Sequence, residues 1–274
     1  MGGAERNARK KRQAQTRGPG NAVAAARRAD TDRRKLYIGA AVVVVILAAV
    51  VGGVLISNSQ KNTTEGKDIQ AAPSSSQQTA MADVPVTRDG GVVVVGQPDA
   101  KVKLDVYEDF LCPICGHFEQ TYGKTIEDHV VKGSVQVRYH MLPMLNDRSD
   151  PPGYSMDSAN AGLCAADAGK FPAFHQSLYN DQPEEGSRGW DDQQLAKLGQ
   201  NVGITSKDFT SCVTSGKYDS LAQTELDKAT SAPYLVQDFG NGQKGFGTPT
   251  LAVGQKVVDT AKSNWLDTLV ASAS

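Results

Sequence analysis

The stretch Val102-Lys103-Leu104-Asp105-Val106-Tyr107-Glu108-Asp109-Phe110-Leu111-Cys112-Pro113-Ile114-Cys115 decides how the rest of this 274-residue chain is read. Its first part, Val102 to Phe110, has a strand pattern, and it runs into two cysteines separated by two residues. Beyond them Phe118, Tyr122, Ile126 and Val130 recur every four residues, a stripe that predicts a helix from Pro113 to about Val131. With Cys112 near the N-cap and Pro113 in the first turn, unpaired backbone N–H groups and the positive end of the helix dipole favour a thiolate at Cys112. Cys115, one turn in and more buried, is placed to close onto Cys112 or to resolve a mixed disulfide. The competing uses of such a pair are a zinc or copper site and an inert disulfide. A structural zinc site needs four ligands, yet no second Cys-x-x-Cys is present, and His117 is set on another side of the helix. His129, His140 and His175 are scattered and read as surface or packed imidazoles.

Working outward, Val92 to Val95 and Ser134 to Leu142 read as further strands. Ser155 to Ser231 is a helical region with breaks at Pro183 to Gly189 and Gly203 to Ser206. Thr250 to Val253 and Lys256 to Val258, split by Gly254-Gln255, form a hairpin pattern, and Ser263 to Ala271 a closing helix. Helices thus interrupt a small sheet unit, which gives an α/β class with an inserted helical subdomain at about 155–231, inside a domain at 85–274. Cys164 and Cys212 fall in the insertion, 48 residues apart. Bridged, they would contribute about 4 kcal/mol by loop closure. Free buried thiols or a second redox relay are the alternatives.

The N-terminal third has a different character. Residues 1–35 hold eleven Lys or Arg against Glu5, Asp30 and Asp32, a local charge of +8 that is hidden in the overall −1. Leu36 to Ile56 is a run without charge, long enough to cross a bilayer as one transmembrane helix. A cleaved signal is the alternative, with Ser57-Asn58-Ser59 as a weak cleavage site. Arg33, Arg34 and Lys35 flank the span on one side only, so the arm is expected in the cytoplasm and everything after Ile56 outside it. The arm reads as disordered, near an anionic leaflet, and nothing aromatic or folded in it supports nucleic-acid binding. No cysteine precedes Cys112, which excludes a lipid-modified one at the membrane. Ser57 to about Val84 is polar and includes Ala72-Pro73-Ser74-Ser75-Ser76-Gln77-Gln78, the composition of a flexible tether (57–84). Four cysteines, an even number, suit an oxidising compartment.

From about Gly91 onward the chain resembles the DsbA-like branch of the thioredoxin superfamily, in the membrane-anchored form found in actinobacteria. The resemblance rests on Tyr107 to Cys115, on Ala165-Ala166-Asp167-Ala168-Gly169-Lys170-Phe171 with Phe174-His175, on Leu178-Tyr179 and on Gly247-Thr248-Pro249-Thr250-Leu251. It implies a thioredoxin-like fold, a cis peptide bond at Pro249 beside the cysteines, and Thr248 presenting backbone to a substrate strand. Related enzymes often carry a buried carboxylate six residues before the first cysteine, where Val106 stands here. Glu108 shares the Val106 strand face and could handle the Cys115 proton, or could be a solvated strand-end carboxylate; Asp105 and Asp109 should point the other way.

The expected function is therefore a protein thiol-disulfide oxidoreductase working through Cys112 and Cys115, without a cofactor, on reduced secreted or envelope proteins. The resemblance implies a quinone-linked membrane partner of the DsbB or vitamin K epoxide reductase type for reoxidation. The same residues could run in reverse as a reductase or isomerase, and a non-catalytic metal-binding module is the reading from another class.

Overall fold

A computed structural model describes residues 63–72, 80–239 and 242–273. The basic arm and the span at Leu36 to Ile56 lie outside the described residues. Among the described residues no helix is long and apolar enough to cross a membrane.

Six strands form one sheet: β1 (Val86–Asp89), β2 (Val92–Val95), β3 (Val102–Glu108), β4 (Val135–Met141), β7 (Thr250–Val253) and β8 (Lys256–Val257), in the order β1-β2-β4-β3-β7-β8. Central β3 runs parallel to β4 and antiparallel to β7, with Tyr107 opposite Thr250. A parallel pair requires a crossover, here α1 (Pro113–Phe118), a π-helical turn (Glu119–Gly123) and α2 (Lys124–Val131). Both faces of β3 are covered. Leu104 and Val106 belong to the main core with Phe110, Phe171, Phe174 and Leu178, while Tyr107 joins a smaller cluster with Leu142, Leu235 and Ala252.

The insertion comprises α3 (Tyr154–Asp167), α4 (Phe171–Asn180), α5 (Asp192–Asn201), α6 (Lys207–Thr214) and α7 (Asp219–Ser231), and α8 (Trp265–Ala273) closes the chain. Small residues along α3, including Ala159, Ala161, Ala165 and Ala166, are all buried, so this helix is enclosed by its neighbours. A disulfide between Cys164 of α3 and Cys212 of α6 spans a Cα separation of 6.0 Å. A short hairpin, β5 (Gln237–Asp238) with β6 (Lys244–Gly245), precedes β7. Neither this hairpin nor β1 is legible in the sequence, because both are short and carry charged residues.

Two expectations need correction. The single helix expected from Pro113 to Val131 is broken by the π-helical turn, which apolar spacing alone cannot reveal. The tether expected over 57–84 does not hold for 63–72, where Ile69 is fully buried and Ala72 nearly so. This strap is fixed by hydrogen bonds: Thr64 Oγ1 donates to Gly189 O (2.9 Å), Gln194 Nε2 to Lys67 O (2.6 Å), and Ala72 N to Ser177 Oγ (2.9 Å). A polar strap needs only one apolar anchor when an existing surface satisfies its backbone, so composition misses it.

On the β3 face that carries Asp105, His140 lies between two carboxylates, with Nε2 3.0 Å from Asp105 Oδ1 and Nδ1 3.2 Å from Glu225 Oε2. Arg138 and Lys228 complete the group, on Asp105 (3.0 Å) and Glu225 (2.7 Å). An imidazole that bonds carboxylates through both nitrogens is a double donor, hence an imidazolium. Burial opposes its charge, but the hydrogen bonds to Asp105 and Glu225 outweigh burial and hold the His140 pKa above the usual histidine range.

Two stability outcomes are expected. Replacing Cys164 and Cys212 together by alanine should lower unfolding free energy by about 4 kcal/mol, read from denaturant melts. A raised histidine pKa stabilises fully below the unfolded value of 6.5 and loses that contribution as pH rises through the folded value. The thermal midpoint should therefore fall as pH rises from 6.5 through the folded value, and His140→Gln should flatten this dependence.

Candidate active site

The site forms where β3 ends. Because Tyr107 pairs with Thr250, the Thr248-Pro249 turn lies just beyond the end of β3, where the chain enters α1. The Thr248–Pro249 peptide bond is cis, as the resemblance implies; Asp150–Pro151 is a second cis bond that no residue pattern announced. Cys112 is the N-cap residue of α1 and Pro113 follows at its start. Cys112 and Cys115 carry free thiols, Cys115 fully enclosed and Cys112 at 5% exposure. Cys112 Sγ is 3.4 Å from the carbonyl oxygen of Thr248.

The two sulfurs have opposite electrostatics. A hydrogen bond from the Cys115 thiol is the largest influence on Cys112 and brings its pKa down to about 6 against the cost of burial, with help from Thr248 and the backbone N–H groups of Cys115 and Ile114. The partner thiol thus exceeds the helix start as the source of the effect. Cys115 is pushed well up, by burial first, then by its bond to Cys112 and the nearby Glu108 charge.

Glu108 is fully buried, so the strand-end solvated alternative is excluded. It points inward on the face of Val106, and burial lifts its pKa to about 8, within reach of the charge on Cys112. His175 of α4 meets it, Nε2 to Oε2 at 2.9 Å, inside a ring of Phe110, Tyr139, Phe171 and Tyr179. Asp105 lies on the opposite face, as alternation requires. Asp109 is also buried and acts as a brace: its carboxylate accepts from Leu111 N (2.8 Å), Leu145 N (2.7 Å) and Ser155 Oγ (2.8 Å).

Three contributors escape sequence reasoning. His175 reads as a packed imidazole and is packed, but against Glu108. Glu119 falls at the start of the π-helical turn, and its carboxyl approaches Glu108; together with His175 the pair forms the one group among the described residues whose donor atoms, within 4.8 Å of one another, could hold a metal ion. Gln182, just past α4, donates its amide to Phe110 O (2.9 Å) and Cys112 O (2.9 Å), which fixes the turn leading into α1. Gly116 is required beneath it, since any Cβ there would collide with the Gln182 side chain. Glu119 and Gln182 could have been found only by knowing which elements meet.

Comparisons with known proteins agree with this geometry. The family model described as Thioredoxin matches residues 88–269. Oxidised DsbA of Mycobacterium tuberculosis superposes with a TM-score of 0.54 at 28% identity, covering 70% of this chain and 92% of that one. The reduced disulfide bond oxidoreductase DsbG of the same organism gives 0.52 at 26% identity, over 72% and 91% of the two chains. Among curated relatives, serine/threonine-protein kinase PknE of M. tuberculosis is 33% identical over 191 residues, which is 68% of this chain and 32% of the kinase, so the chain spans about a third of that protein's length. Disulfide bond formation protein D of Bacillus subtilis is 28% identical over 172 residues, 61% of this chain and 70% of that protein. The chain belongs to the thioredoxin family, and within it is DsbA-like.

Because the Cys115 thiol is the largest influence on Cys112, Cys115→Ala should raise the Cys112 pKa from about 6 toward the ordinary cysteine value of about 8.5. Thiolate absorbance at 240 nm, followed across pH, measures this directly.

Proposed function

We propose that this domain is a thiol oxidase of the cell envelope that introduces disulfides into secreted proteins through Cys112 and Cys115. The observation that carries the reading is the asymmetry of the two sulfurs. A thiol held near pKa 6 is a good leaving group, so a disulfide that includes it is readily broken by an incoming thiolate. A stabilised reduced state makes the disulfide form an oxidant.

In the forward direction a substrate thiolate attacks Cys112 Sγ of the Cys112-Cys115 disulfide. The Cys115 sulfur leaves with the electron pair and takes up a proton. A second substrate thiolate then attacks the substrate sulfur, releasing Cys112 as thiolate and an oxidised product. Exposed apolar side chains around Cys112 favour unfolded polypeptide as substrate: Ile114, between the cysteines, is 66% exposed, and Met144 lies against Thr248. The Thr248-Pro249 turn offers a backbone edge beside the sulfur for an extended strand.

Location and recycling follow from the N-terminal third. The apolar run at Leu36 to Ile56 with its one-sided basic flank, and the Cys164-Cys212 disulfide, favour an anchored domain in an oxidising compartment. Reoxidation is assigned to a quinone-linked membrane protein of the DsbB or vitamin K epoxide reductase type.

Two measurements test the proposal. The Cys115→Ala protein should accumulate mixed disulfides on Cys112, whose mass-spectrometric identification names substrates and partner. The parent protein should speed oxidative refolding of a reduced, unfolded protein more than it speeds insulin reduction; the opposite ranking would reassign it as a reductase, and an empty trap would remove the enzymatic reading.

A further inference from the structure

The β5–β6 hairpin stands beside the cysteines and takes no part in the exchange of sulfurs. Among the described residues five large apolar side chains are exposed: Ile114, Val131, Met144, Val236 and Phe239. Val131 ends α2, at the far end of the crossover from the cysteines. Ile114 lies between the cysteines, Met144 reaches Thr248, and Val236 and Phe239 flank β5. Phe239 is the largest of the five and is 57% exposed. A ring held in water calls for a physical reason, because aromatic side chains gain most from burial.

Phe239 is directed at the cis-proline turn. Side chains alternate along a strand, so Gln237 and Phe239 share one face of β5 and Asp238 takes the other. The Gln237 side chain donates to Thr250 Oγ1 (2.7 Å), and Thr250 Oγ1 donates to Gly247 O. The face that carries Phe239 is therefore moored to Gly247–Thr250, the segment that holds Thr248 and Pro249. Asp238 lies opposite Lys244 and 3.9 Å from its ammonium, so the charges of the hairpin pair with each other on the other face. Backbone pairing continues past β5, with Phe239 N donating to Gln243 O (2.9 Å).

The Phe239 ring lies against bare backbone. A Cβ at Gly247 would come 3.2 Å from Phe239 Cζ, closer than carbon atoms ordinarily pack, and one at Gly245 would meet the ring at 3.6 Å. Neither glycine has a positive φ, so the local backbone conformation does not require a missing side chain at either position, and the ring accounts for the one at Gly247. Phe246, between them, turns inward and packs edge-on to Tyr107 at 5.9 Å in the smaller core cluster. One aromatic side chain thus anchors this segment from behind, and another is set on its outer side. The next residue is Thr248, whose carbonyl oxygen is 3.4 Å from Cys112 Sγ.

By covalent spacing the ring is on the order of 10 Å from Cys112 Sγ, and an extended chain advances ~3.3 Å per residue. We propose that Phe239 is a specificity-determining residue, its ring a subsite for a large apolar side chain carried within about three residues of the substrate cysteine that attacks Cys112. The inference rests on the oxidoreductase reading above and names which reduced chains are taken. An extended chain paired along the Thr248 backbone edge continues past Gly247, where the ring projects. Its occupant is apolar because the surface it meets is apolar: the ring, the Gly247 backbone and a face of β5 that carries an amide and no charge. Contact between that side chain and the ring removes water from both. Folded proteins bury such side chains and unfolded ones expose them, so the subsite also selects chains that have not yet folded.

Single-turnover oxidation of dithiol peptides tests the assignment. The parent protein, with Cys112 and Cys115 joined as a disulfide, is mixed with peptides that differ in one residue, Leu or Ser, placed one to three positions before or after the first of two cysteines. Each turnover leaves a disulfide in the peptide and two thiols in the protein, and rapid quench with mass spectrometry follows both. At the best position the parent should oxidise the leucine peptide at least tenfold faster than the serine peptide. Phe239→Ser and Phe239→Ala should bring that ratio below two, and Phe239→Leu should keep most of it. Dithiothreitol, which has no side chain to reach the ring, is the reference thiol. A parent that oxidises both peptides equally overturns the subsite, as does a preference for leucine that survives in Phe239→Ala. Equal slowing of both peptides and dithiothreitol in the variants overturns it too, by giving the ring a structural task. So does a parent dimer that Phe239→Ser dissociates with the peptide ratio unchanged, since a second copy then covers the ring. Failure of the parent to oxidise dithiothreitol or any peptide sinks the oxidoreductase reading instead.

Discussion

The buried hydrogen bond between His175 and Glu108, at 2.9 Å, is the contact on which the rest of the site depends. It ties the end of the central strand to the second helix of the insertion, so a helical block far along the chain becomes part of the wall behind the cysteines. A buried carboxyl is costly, and it is kept because every neighbour is arranged around it. Cys115 and Glu119 lie within its field, and four aromatic side chains pack around the His175 ring. Removing either member would leave a polar atom of the other buried without its partner, at a cost on the order of 1–3 kcal/mol.

Central strand β3 carries acidic groups to both of its faces, with different consequences. Asp105 meets positive partners, Arg138 and His140, and is satisfied as an ion. Glu108 meets no full positive charge among the described residues, and burial raises its pKa to about 8. Alternation along a single strand thus separates a structural ion cluster from a reactive carboxyl three residues away. Both arrangements depend on covering the sheet on its two faces, which α4 and α7 of the insertion achieve by bringing His175 to one and Glu225 to the other.

Much of the architecture is legible in the sequence because it is written in local chemistry. The strand ending in Cys112-Pro113-Ile114-Cys115 names the fold, and the Thr248-Pro249 turn is implied by the resemblance that those residues support. The helical insertion is visible from its period, and the Cys164-Cys212 bridge from the count of cysteines. What escapes is non-local. Glu119 sits in a helix whose change to a π-turn leaves no mark in apolar spacing, and Gln182 matters only because its amide reaches two carbonyls of the turn into α1. His175 lies in a stretch quoted for the resemblance, yet its partner is 67 residues away. The strap at 63–72 escapes because polar composition reports how little a segment can bury, not what hydrogen bonds a finished surface can offer it.

That strap changes the mechanics of the domain. Its hydrogen bonds reach Ser177 of α4, Gln194 and Asn201 of α5, and Asp181, Arg188 and Gly189 of the loop between those helices. Asp181 adjoins Gln182, which clasps the backbone of Cys112. Tension arriving along the polypeptide from its N-terminal side is therefore delivered first to the loop that holds the reactive sulfur in register, and only afterwards to the sheet. A strap moored at this point couples any pull on its N-terminal end to the posture of the Cys112 thiol.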